Sequence, residues 1–470
     1  MNTPSQSTSA PWHTQARFYH MYPLGLCNAP QQRKGAPLTN RLAQLSDWIP
    51  HLQKLHINAL YLGPLQASEA HGYDPVDYFQ VDPRLGSTAD LQALVNTFHA
   101  AGIRVIFDAV LNHVSRDFFA FQDLLAHGPR SRYADWFANV DFSQRSPYGD
   151  PFSYAGWSGH YNLVKLNLKH PEVTEHLLQA VHFWIDTFAI DGLRLDAADV
   201  MDAAFLQRLA RETASQKPDF WLMGEVVHGD YRHWANDQTL HATTNYECYK
   251  GLYSSHNDRN YFEIAHSLDR LFHPEKGIYR HLHLYNFVDN HDVARIASRL
   301  DHQPHLYPLH IFLYTIPGAP SLYYGSEWGI AGPKQPHSDD NLRPALPVDT
   351  LSTGPATALA PDLLPVLQKL GHIHEQSLAL QHGNYQPVHV SAEQLVFLRH
   401  HATETLLVAV NASDDAVTLD LKLPTGFDTV QNGHDLLNAE PLAWQAPKIP
   451  LEIPPCWGRI VRISPQNMSQ

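Results

Sequence analysis

Cysteine is scarce in this sequence, with only Cys27, Cys248 and Cys456 among 470 residues. An odd, widely spaced set fits neither a disulfide framework nor a zinc knuckle. We therefore expect three free thiols, as is typical of a protein in the reducing cytoplasm. The polar N-terminus, MNTPSQSTSAPWHTQAR, lacks the apolar segment of a secretory signal, which favours the same cytoplasmic localisation.

Charged residues are also few, at 17% of the chain, and no basic run occurs. There are 33 Lys+Arg against 47 Asp+Glu, so the formal net charge is −14. Nucleic acids and anionic membranes attract basic surfaces, so we expect neither partner. No apolar run approaches the roughly 18 residues of a membrane-spanning helix. The 32 histidines are scattered without HExxH spacing, so the sequence predicts no metal site.

What the sequence does contain is enough apolar material for a large core, with 44% hydrophobic and 11% aromatic residues. Strand-like runs alternate with amphipathic helical stretches such as PEVTEHLLQAVHFWIDTF. The eight candidate strands are, in chain order, RFYHMYPLG, INALYLGPL, IRVIFDAVLNH, DGLRLDAAD, DFWLMGEVV, ATTNY, HLHLYNFVDNHD and APSLYYGSE. Eight strands alternating with helices predict an α/β fold of the (β/α)8 TIM-barrel type.

The alternation is interrupted once and ends before the C-terminus, which defines the predicted domains. We expect a disordered tail over 1–16 and a barrel formed by 17–113 and 169–378. The aperiodic stretch 114–168 would be an inserted subdomain after the third strand. Residues 380–466 carry only β-type runs and predict an antiparallel β-sandwich. That sandwich could serve packing and stability, or it could bind sugar.

In a parallel barrel, functional residues come from the C-terminal ends of the strands. The polar residues at these ends are Asp108, Asn112, His113, Arg194, Asp196, Glu225, Asn290, His291 and Asp292. Single acids at strand ends also serve as helix caps, but so many together indicate a site. Paired carboxylates are what acid/base or covalent chemistry on a glycosidic bond requires. The nearby aromatic residues Tyr73, Trp157 and Tyr161 suit the apolar faces of a sugar.

These segments resemble the signature motifs of the α-amylase family of glycoside hydrolases, in the family's order and over nearly the whole chain. The four principal motifs are DAVLNH (108–113), GLRLDAAD (192–199), MGEVVH (223–228) and FVDNHD (287–292). HGYDPVDY (71–78) and LVKLN (163–167) are similar to the flanking motifs. Each motif alone is a weak pattern, whereas six in order are specific.

The resemblance implies roles for the acids. Asp196 matches the catalytic nucleophile and Glu225 the general acid/base. Asp292 matches the third carboxylate, which orients sugar hydroxyls, and Asp108 matches a structural acid near the site. Arg194 would position the nucleophile.

The resemblance also implies which residues hold the sugar. His113 and His291 would bind hydroxyls, and Tyr73 would stack beneath the ring. Asp340 and Arg343, in SDDNLRP, are similar to a late loop pair that holds the same sugar.

LVKLN and GEVVHGDYRHW with the later TNY are closest to the cyclomaltodextrinase and neopullulanase type within the family. His228 and Tyr246 would then line the product side. Asn112 matches a family calcium ligand, but Asp199 and Val200 stand where calcium-dependent members have Lys-His. Calcium is therefore possible but not favoured, and we expect no required cofactor. The acid-rich stretch 135–150 could hold a cation but more simply forms a solvated loop.

The expected function is retaining hydrolysis of α-glucosidic bonds in maltooligosaccharides or in cyclic or branched α-glucans. The alternatives are a glucanotransferase, a sucrose- or trehalose-active relative, and a non-catalytic scaffold barrel, although such scaffolds typically lose one of the acids. An oligosaccharide is the expected partner. The linkage preference, endo or exo action and the oligomeric state are left open by the sequence.

Overall fold

The computed structural model describes residues 10–427, 429–445 and 447–463. Eight parallel strands form its central sheet: Phe18–Met21, Ala59–Leu62, Arg104–Ala109, Gly192–Leu195, Trp221–Gly224, Ala242–Thr243, Tyr285–Phe287 and Ala319–Tyr323. Each strand pairs with its neighbours in chain order, and a parallel bridge between Thr244 and Tyr285 joins the sixth strand to the seventh. The eighth pairs with the first, so the sheet is closed and the predicted (β/α)8 barrel is confirmed.

Helices surround this barrel. Those of ten or more residues are Thr88–Ala100, Pro171–Phe188, Ala203–Gln216, Tyr246–Asn257, Tyr261–Phe272, Leu306–Thr315 and Leu363–Glu375. The shorter ones are Pro23–Leu26, Ile49–Lys54, Phe119–His127, Ile296–Arg299, Thr350–Thr353 and Leu378–His382. Local sequence sets their ends: Ser87 and Asp90 form a capping box at the start of Thr88–Ala100, and Pro171 occupies the first turn of Pro171–Phe188.

Additional strands pack over the C-terminal end of the barrel. Gln66–Ser68 pairs with Pro75–Val81 in a hairpin that carries Tyr73 between its strands. In the segment after the third barrel strand, His113–Ser115, Gly156–Trp157 and His160–Lys165 form a small antiparallel sheet. The aromatic side chains of this insertion belong to the same continuous core as the barrel. The insertion therefore forms a wall on the barrel's top face.

The C-terminal part is antiparallel throughout. Its larger sheet contains, in spatial order, Asn384–Val390, Gln394–His401, Glu404–Asn411, Trp457–Ile463, Asn432–Asp435 and Glu440–Ala443. Val417–Leu421 and Ile449–Ile453 form a second, two-stranded sheet, and one apolar core lies between the two sheets. The opposite face of the larger sheet packs into the barrel core. Residues 464–466 of the predicted sandwich lie outside the described residues.

The predicted disordered tail over 1–16 is wrong for its last part, while residues 1–9 lie outside the described residues. Trp12–Gln15 forms a 3-10 turn beneath the barrel. The Trp12 ring lies 5.9 Å from that of Trp221 and 6.2 Å from that of Phe18, and its Nε1 donates to Asp219 O at 2.9 Å. Trp221 and Phe18 begin barrel strands, so this turn closes the barrel's N-terminal end. The polar composition of residues 1–16 gave no indication that the side chain of Trp12 anchors this segment.

Across the described ranges, none of the helices has both the length and the hydropathy needed to cross a bilayer.

Candidate active site

A buried guanidinium lies at the centre of the site. Arg194 Nη1 donates to Asp108 Oδ1 at 2.8 Å and to Asp196 Oδ1 at 2.9 Å, and its Nη2 lies 2.8 Å from Glu225 Oε2. Parallel register explains the convergence, because Asp108 and Met223 are the partners of Arg194 on the two neighbouring strands. Arg194 and Asp196 are two residues apart, so their side chains project from the same side of the strand.

The third catalytic candidate follows the seventh barrel strand. Asp292 Oδ2 lies 2.8 Å from His291 Nε2, and its Oδ1 accepts from Arg343 Nη2 at 3.1 Å. Its backbone N–H donates to Asn290 Oδ1 at 2.8 Å, which holds the turn after the strand. The predicted trio of Asp196, Glu225 and Asp292 therefore borders one cleft.

Tyr73, His113 and His291 are held by contacts among themselves and with Asp108. Tyr73 Oη donates to Asp108 Oδ2 at 2.7 Å, and its ring is parallel to that of His291, with centroids 5.0 Å apart. His113 Nε2 donates to Tyr73 O at 3.0 Å, while its Nδ1 accepts from Asn112 Nδ2 at 3.2 Å. Burial lowers the pKa of His113 to about 4, so this imidazole is neutral.

The cleft above these residues has a volume of about 1240 Å³. Small-molecule pockets usually measure about 300–1,000 Å³, so the cleft has room for several sugar rings. The predicted residues in its wall are Tyr73, His113, Trp157, Asp196, Glu225, Tyr246, Asp292, Asp340 and Arg343. Asp108, Arg194 and His291 are buried behind them. Tyr246 Oη lies 3.4 Å from Glu225 Oε1, next to the expected acid/base.

The structure places two predicted residues differently. His228 is exposed, and the cleft wall at this point is formed by Val227. Tyr161 packs edge-on against Tyr154, with ring centroids 5.6 Å apart, and thereby supports the insertion. His228 lies in a bend, where spacing along the chain does not define side-chain direction, whereas Tyr161 lies in the strand His160–Lys165.

The late loop pair also differs in detail. Arg343 Nη2 contacts Asp339 Oδ2 at 3.0 Å, whereas Asp340 Oδ2 accepts from Gln31 Nε2 at 3.3 Å. Sequence reasoning missed Asp339, although its spacing of four from Arg343 across a 3-10 turn is a signal that could have found it. It also missed Tyr22, which follows the first barrel strand and whose ring lies 4.7 Å from the Arg343 guanidinium carbon.

Electrostatics divide the acids into two groups. Burial raises the pKa of Asp196 and of Glu225, and Arg194 opposes the rise in both. Burial acts in the same direction on Asp292, but His291 and Arg343 outweigh it and hold the pKa of Asp292 below its usual range. Of the three acids, Asp292 is therefore the most readily ionised, while burial favours the protonated forms of Asp196 and Glu225.

Few side-chain oxygens are available at the position where some members of the family bind calcium. Asn112 Oδ1 is buried without a hydrogen-bond partner in the described ranges, so one oxygen is available. Calcium takes about six to eight oxygen ligands. Val200 offers no side-chain oxygen, and no cluster of three or more acidic, histidine or cysteine ligands includes Asp199 within the described ranges.

Residues 39–357 match the family model "Alpha amylase, catalytic domain", which covers more than half of the chain. The chain belongs to the α-amylase family. The match includes the barrel strands that carry Asp196, Glu225 and Asp292, and the protein is accordingly a glycoside hydrolase.

Relatives within the α-amylase family include two cyclomaltodextrinases. The chain is 30% identical over 425 residues to a cyclomaltodextrinase of Geobacillus thermopakistaniensis (strain MAS1), covering 88% of this chain and 68% of the relative. It is 32% identical over 381 residues to a cyclomaltodextrinase of a Bacillus species, covering 79% of this chain and 66% of the relative. The chain thus spans about two thirds of the length of these relatives.

Two solved structures are similar over almost their whole length. One is the cyclic α-maltosyl-(1→6)-maltose hydrolase of Arthrobacter globiformis in complex with that cyclic sugar, with a TM-score of 0.80 and 25% identity over 97% of this chain and 100% of that one. The other is the Nostoc punctiforme debranching enzyme, with a TM-score of 0.80 and 26% identity over 96% of this chain and 98% of that one.

Proposed function

We propose that the protein hydrolyses α-glucosidic bonds in short α-glucans, cyclic or branched, with retention of the α configuration. The observation that carries this proposal is that Asp196 and Glu225 both contact the guanidinium of Arg194. Both acids line the same cleft of about 1240 Å³ as Asp292. Acids placed on two neighbouring parallel strands are suited to a double displacement.

In the first step, Glu225 protonates the bridging oxygen while Asp196 attacks the anomeric carbon. The glycosidic bond breaks, the leaving sugar takes the proton, and a covalent β-glycosyl ester of Asp196 forms. In the second step, Glu225 removes a proton from water, and the water oxygen attacks the same carbon. The ester bond breaks, Asp196 becomes a carboxylate again, and the released sugar keeps the α configuration.

The charges around Glu225 favour its role as the proton donor of the first step. Burial and the neighbouring anion Asp292 raise the pKa of Glu225, which favours the protonated form that the first step needs. The Arg194 guanidinium stabilises the anion of Asp196 at a distance of 2.9 Å. Once Glu225 has delivered its proton, Arg194 Nη2 stabilises the new carboxylate as well.

The remaining cleft residues bind the sugar at the cleavage point. Asp292 accepts hydrogen bonds from hydroxyls and stabilises the oxocarbenium-like transition state. Tyr73 stacks beneath the ring, and His113 and His291 bind further hydroxyls. Arg343 holds Asp292 in place at the same end through its Nη2 donor.

Tyr246, next to Glu225, binds the leaving sugar, and Trp157, next to His113, adds an aromatic surface to the cleft wall. Asp340 extends the cleft through its contact with Gln31.

The substrate class is inferred from the type of relative: two cyclomaltodextrinases and a hydrolase of a cyclic maltosyl sugar. Purified protein should be incubated with maltohexaose, β-cyclodextrin, pullulan and isomaltose in parallel. We expect glucose or maltose from maltohexaose or from the cyclic sugar. Products longer than the substrate would instead show a glucanotransferase, and no turnover of any of the four would overturn the substrate class.

We also propose that catalysis needs no metal or other cofactor. This proposal rests on the steps above, none of which uses a metal ion, and on Val200, which offers no side-chain oxygen at the second motif. Dialysis against EDTA should leave kcat unchanged at room temperature. A loss of kcat that added Ca²⁺ restores would contradict this.

We propose a cytoplasmic location, supported by the 31% identity over 300 residues to the intracellular maltogenic amylase of Bacillus subtilis. Fractionation of the source cells tests this: the antigen should be recovered with cytoplasmic markers, and its recovery from the culture medium would contradict it.

A further inference from the structure

Three side chains of the types that can ligate a metal ion lie together where the barrel meets the C-terminal sandwich. His302 and His305 precede helix Leu306–Thr315, and Cys456 precedes the last strand, Trp457–Ile463. One ligand atom from each of the three side chains lies within 4.8 Å of the other two. The hydrolysis described above uses none of them.

Each of the two imidazoles donates one hydrogen bond to an acceptor of the kind that metal-bound histidines use. His302 Nε2 donates to Asp414 Oδ1 at 2.8 Å, and His305 Nε2 donates to Ala412 O at 3.0 Å. Metal-bound histidines typically donate their other N–H to a carboxylate or a backbone carbonyl in this way. With each Nε2 already bound to an acceptor, Nδ1 is the nitrogen of each ring that is left for a metal ion. His305 Nδ1 is buried and has no partner in the part of the chain that the structure describes.

Cys456 supplies a third donor of a different kind. Its Sγ is buried and makes only long contacts, at 3.6–3.7 Å, with the carbonyls of Ala412 and Ser413 and with Asp414 Oδ1. A bound metal ion would take it as the thiolate and release its proton to solvent.

The carboxylate of Asp414 lies beside this cluster, and Arg259 holds it in place. Asp414 Oδ2 contacts Arg259 Nη2 at 2.8 Å, which leaves Oδ1 directed at His302 and Cys456. The carboxylate thus orients one ligand ring and adds negative charge near the ion, as second ligand shells do.

We propose that His302, His305 and Cys456 form a zinc site that links the barrel to the C-terminal sandwich. Two imidazole nitrogens and one thiolate are a donor set that Zn²⁺ prefers and that Ca²⁺ and Mg²⁺ do not. Water completes the tetrahedron on the side of His302, which is half-buried. Because the histidines come from the barrel and the cysteine from the sandwich, the ion stabilises the junction between them.

Cobalt provides the most direct test, because a Co²⁺–thiolate bond has a charge-transfer absorption in the near ultraviolet that Co²⁺–imidazole sites lack. Full-length protein is stripped with EDTA, desalted and titrated with CoCl₂. We expect the band to saturate at one equivalent of Co²⁺ and to disappear when ZnCl₂ is added. We also expect one equivalent of Zn²⁺ to raise Tm by several degrees.

Matched variants locate the site. Cys456→Ser and His302→Ala should abolish the band and the rise in Tm, and Cys456→Ser should keep the hydrolytic activity of the wild type. Two controls should retain both effects. The first is Cys27→Ser, and the second is His372→Ala, which belongs to a comparable surface group with His56 and Glu375.

Three results would overturn the proposal: no stoichiometric cobalt binding, binding without the charge-transfer band, or a band that survives in Cys456→Ser. None of these results bears on the hydrolytic site, which is assayed separately with sugars.

Discussion

At the scale of single residues, Arg194 determines how the site functions, because three carboxylates from three strands share one guanidinium. An arginine can serve all three, since its planar fork offers several N–H donors in fixed directions. Removing one acid therefore changes the charge balance of the others as well as its own chemistry.

The two catalytic acids can be distinguished by chemical rescue. We expect Asp196→Ala and Glu225→Ala each to lower kcat by at least about 10³-fold, because each step of the double displacement loses its nucleophile or its proton transfer. Added azide should then produce an α-glycosyl azide from Glu225→Ala, where the covalent intermediate still forms. With Asp196→Ala it should produce the β-azide by direct attack. Products are assigned by NMR.

Folding of both variants is checked by circular dichroism and Tm. Exchange of the two anomeric outcomes would reverse the assignments, and wild-type kcat in both variants would refute the site.

Asp191 lies just before the fourth barrel strand and has a stabilising role. Burial alone would raise its pKa, but hydrogen bonds from His99, Lys217 and the Val105 N–H outweigh burial and lower the pKa to about 2. The folded pKa is below the unfolded one of about 3.9, so the ionised form favours folding above that value. The stabilisation is lost as pH falls towards 2.

We expect Asp191→Asn to lower the free energy of unfolding by about 2 kcal/mol at neutral pH. The difference from wild type should shrink as pH falls from about 4 through 2, because Asp191 is fully protonated in both states only below its folded pKa. Urea unfolding across that range measures it. A difference independent of pH would mean that the carboxylate's charge is not the cause.

At the scale of elements, the N-terminal turn Trp12–Gln15 lies at the end of the barrel opposite to the catalytic acids. The turn packs at the strands' N-terminal end, while the acids lie beyond their C-terminal ends. In (β/α)8 barrels the first end contributes stability and the second chemistry.

Trp12→Ala should therefore lower Tm and leave kcat unchanged. Loss of the packing against Trp221 and Phe18 should cost about 2–3 kcal/mol, below the full value of a core tryptophan because Trp12 is only half-buried. Leu38→Ala is the control, since Leu38 is 66% exposed and should change neither quantity. A fall in kcat with unchanged Tm in Trp12→Ala would show that this turn affects the site.

The element boundaries show what local sequence can predict. Helix Pro171–Phe188 has the predicted limits because Pro171 starts it and Ala189 adopts a left-handed conformation after it. Most of the barrel strands were predictable because they are short, largely apolar runs bounded by polar residues. Loop side chains such as His228 were not, because no periodic pattern constrains them.

At the scale of the whole molecule, the C-terminal sandwich and the barrel share their hydrophobic core. Phe397 lies 6.3 Å from Phe312 of the barrel, measured between ring centroids. Arg399 crosses the junction as well, donating to the carbonyls of Thr315, Leu380 and Gly383. These contacts favour the packing role of the sandwich over sugar binding.

A chain truncated after His382 should therefore fail to fold as a monomer. The apolar face of the barrel normally covered by the sandwich would be exposed and would drive aggregation. Size-exclusion chromatography measures this, with full-length protein as the reference. A monomeric truncated chain that loses only binding to a starch column would instead show that the sandwich is a sugar-binding module.

The sequence by itself determined the barrel and the identity of its acids, because strand and helix periods are local and parallel strands bring their C-terminal ends to one face. Tertiary structure alone decided which side chains meet across loops. It paired Arg343 with Asp339, left His228 exposed and placed Trp12 beneath the barrel. It also joined His302 to Cys456, which are far apart in sequence. These contacts depend on packing between distant segments, which no local pattern records.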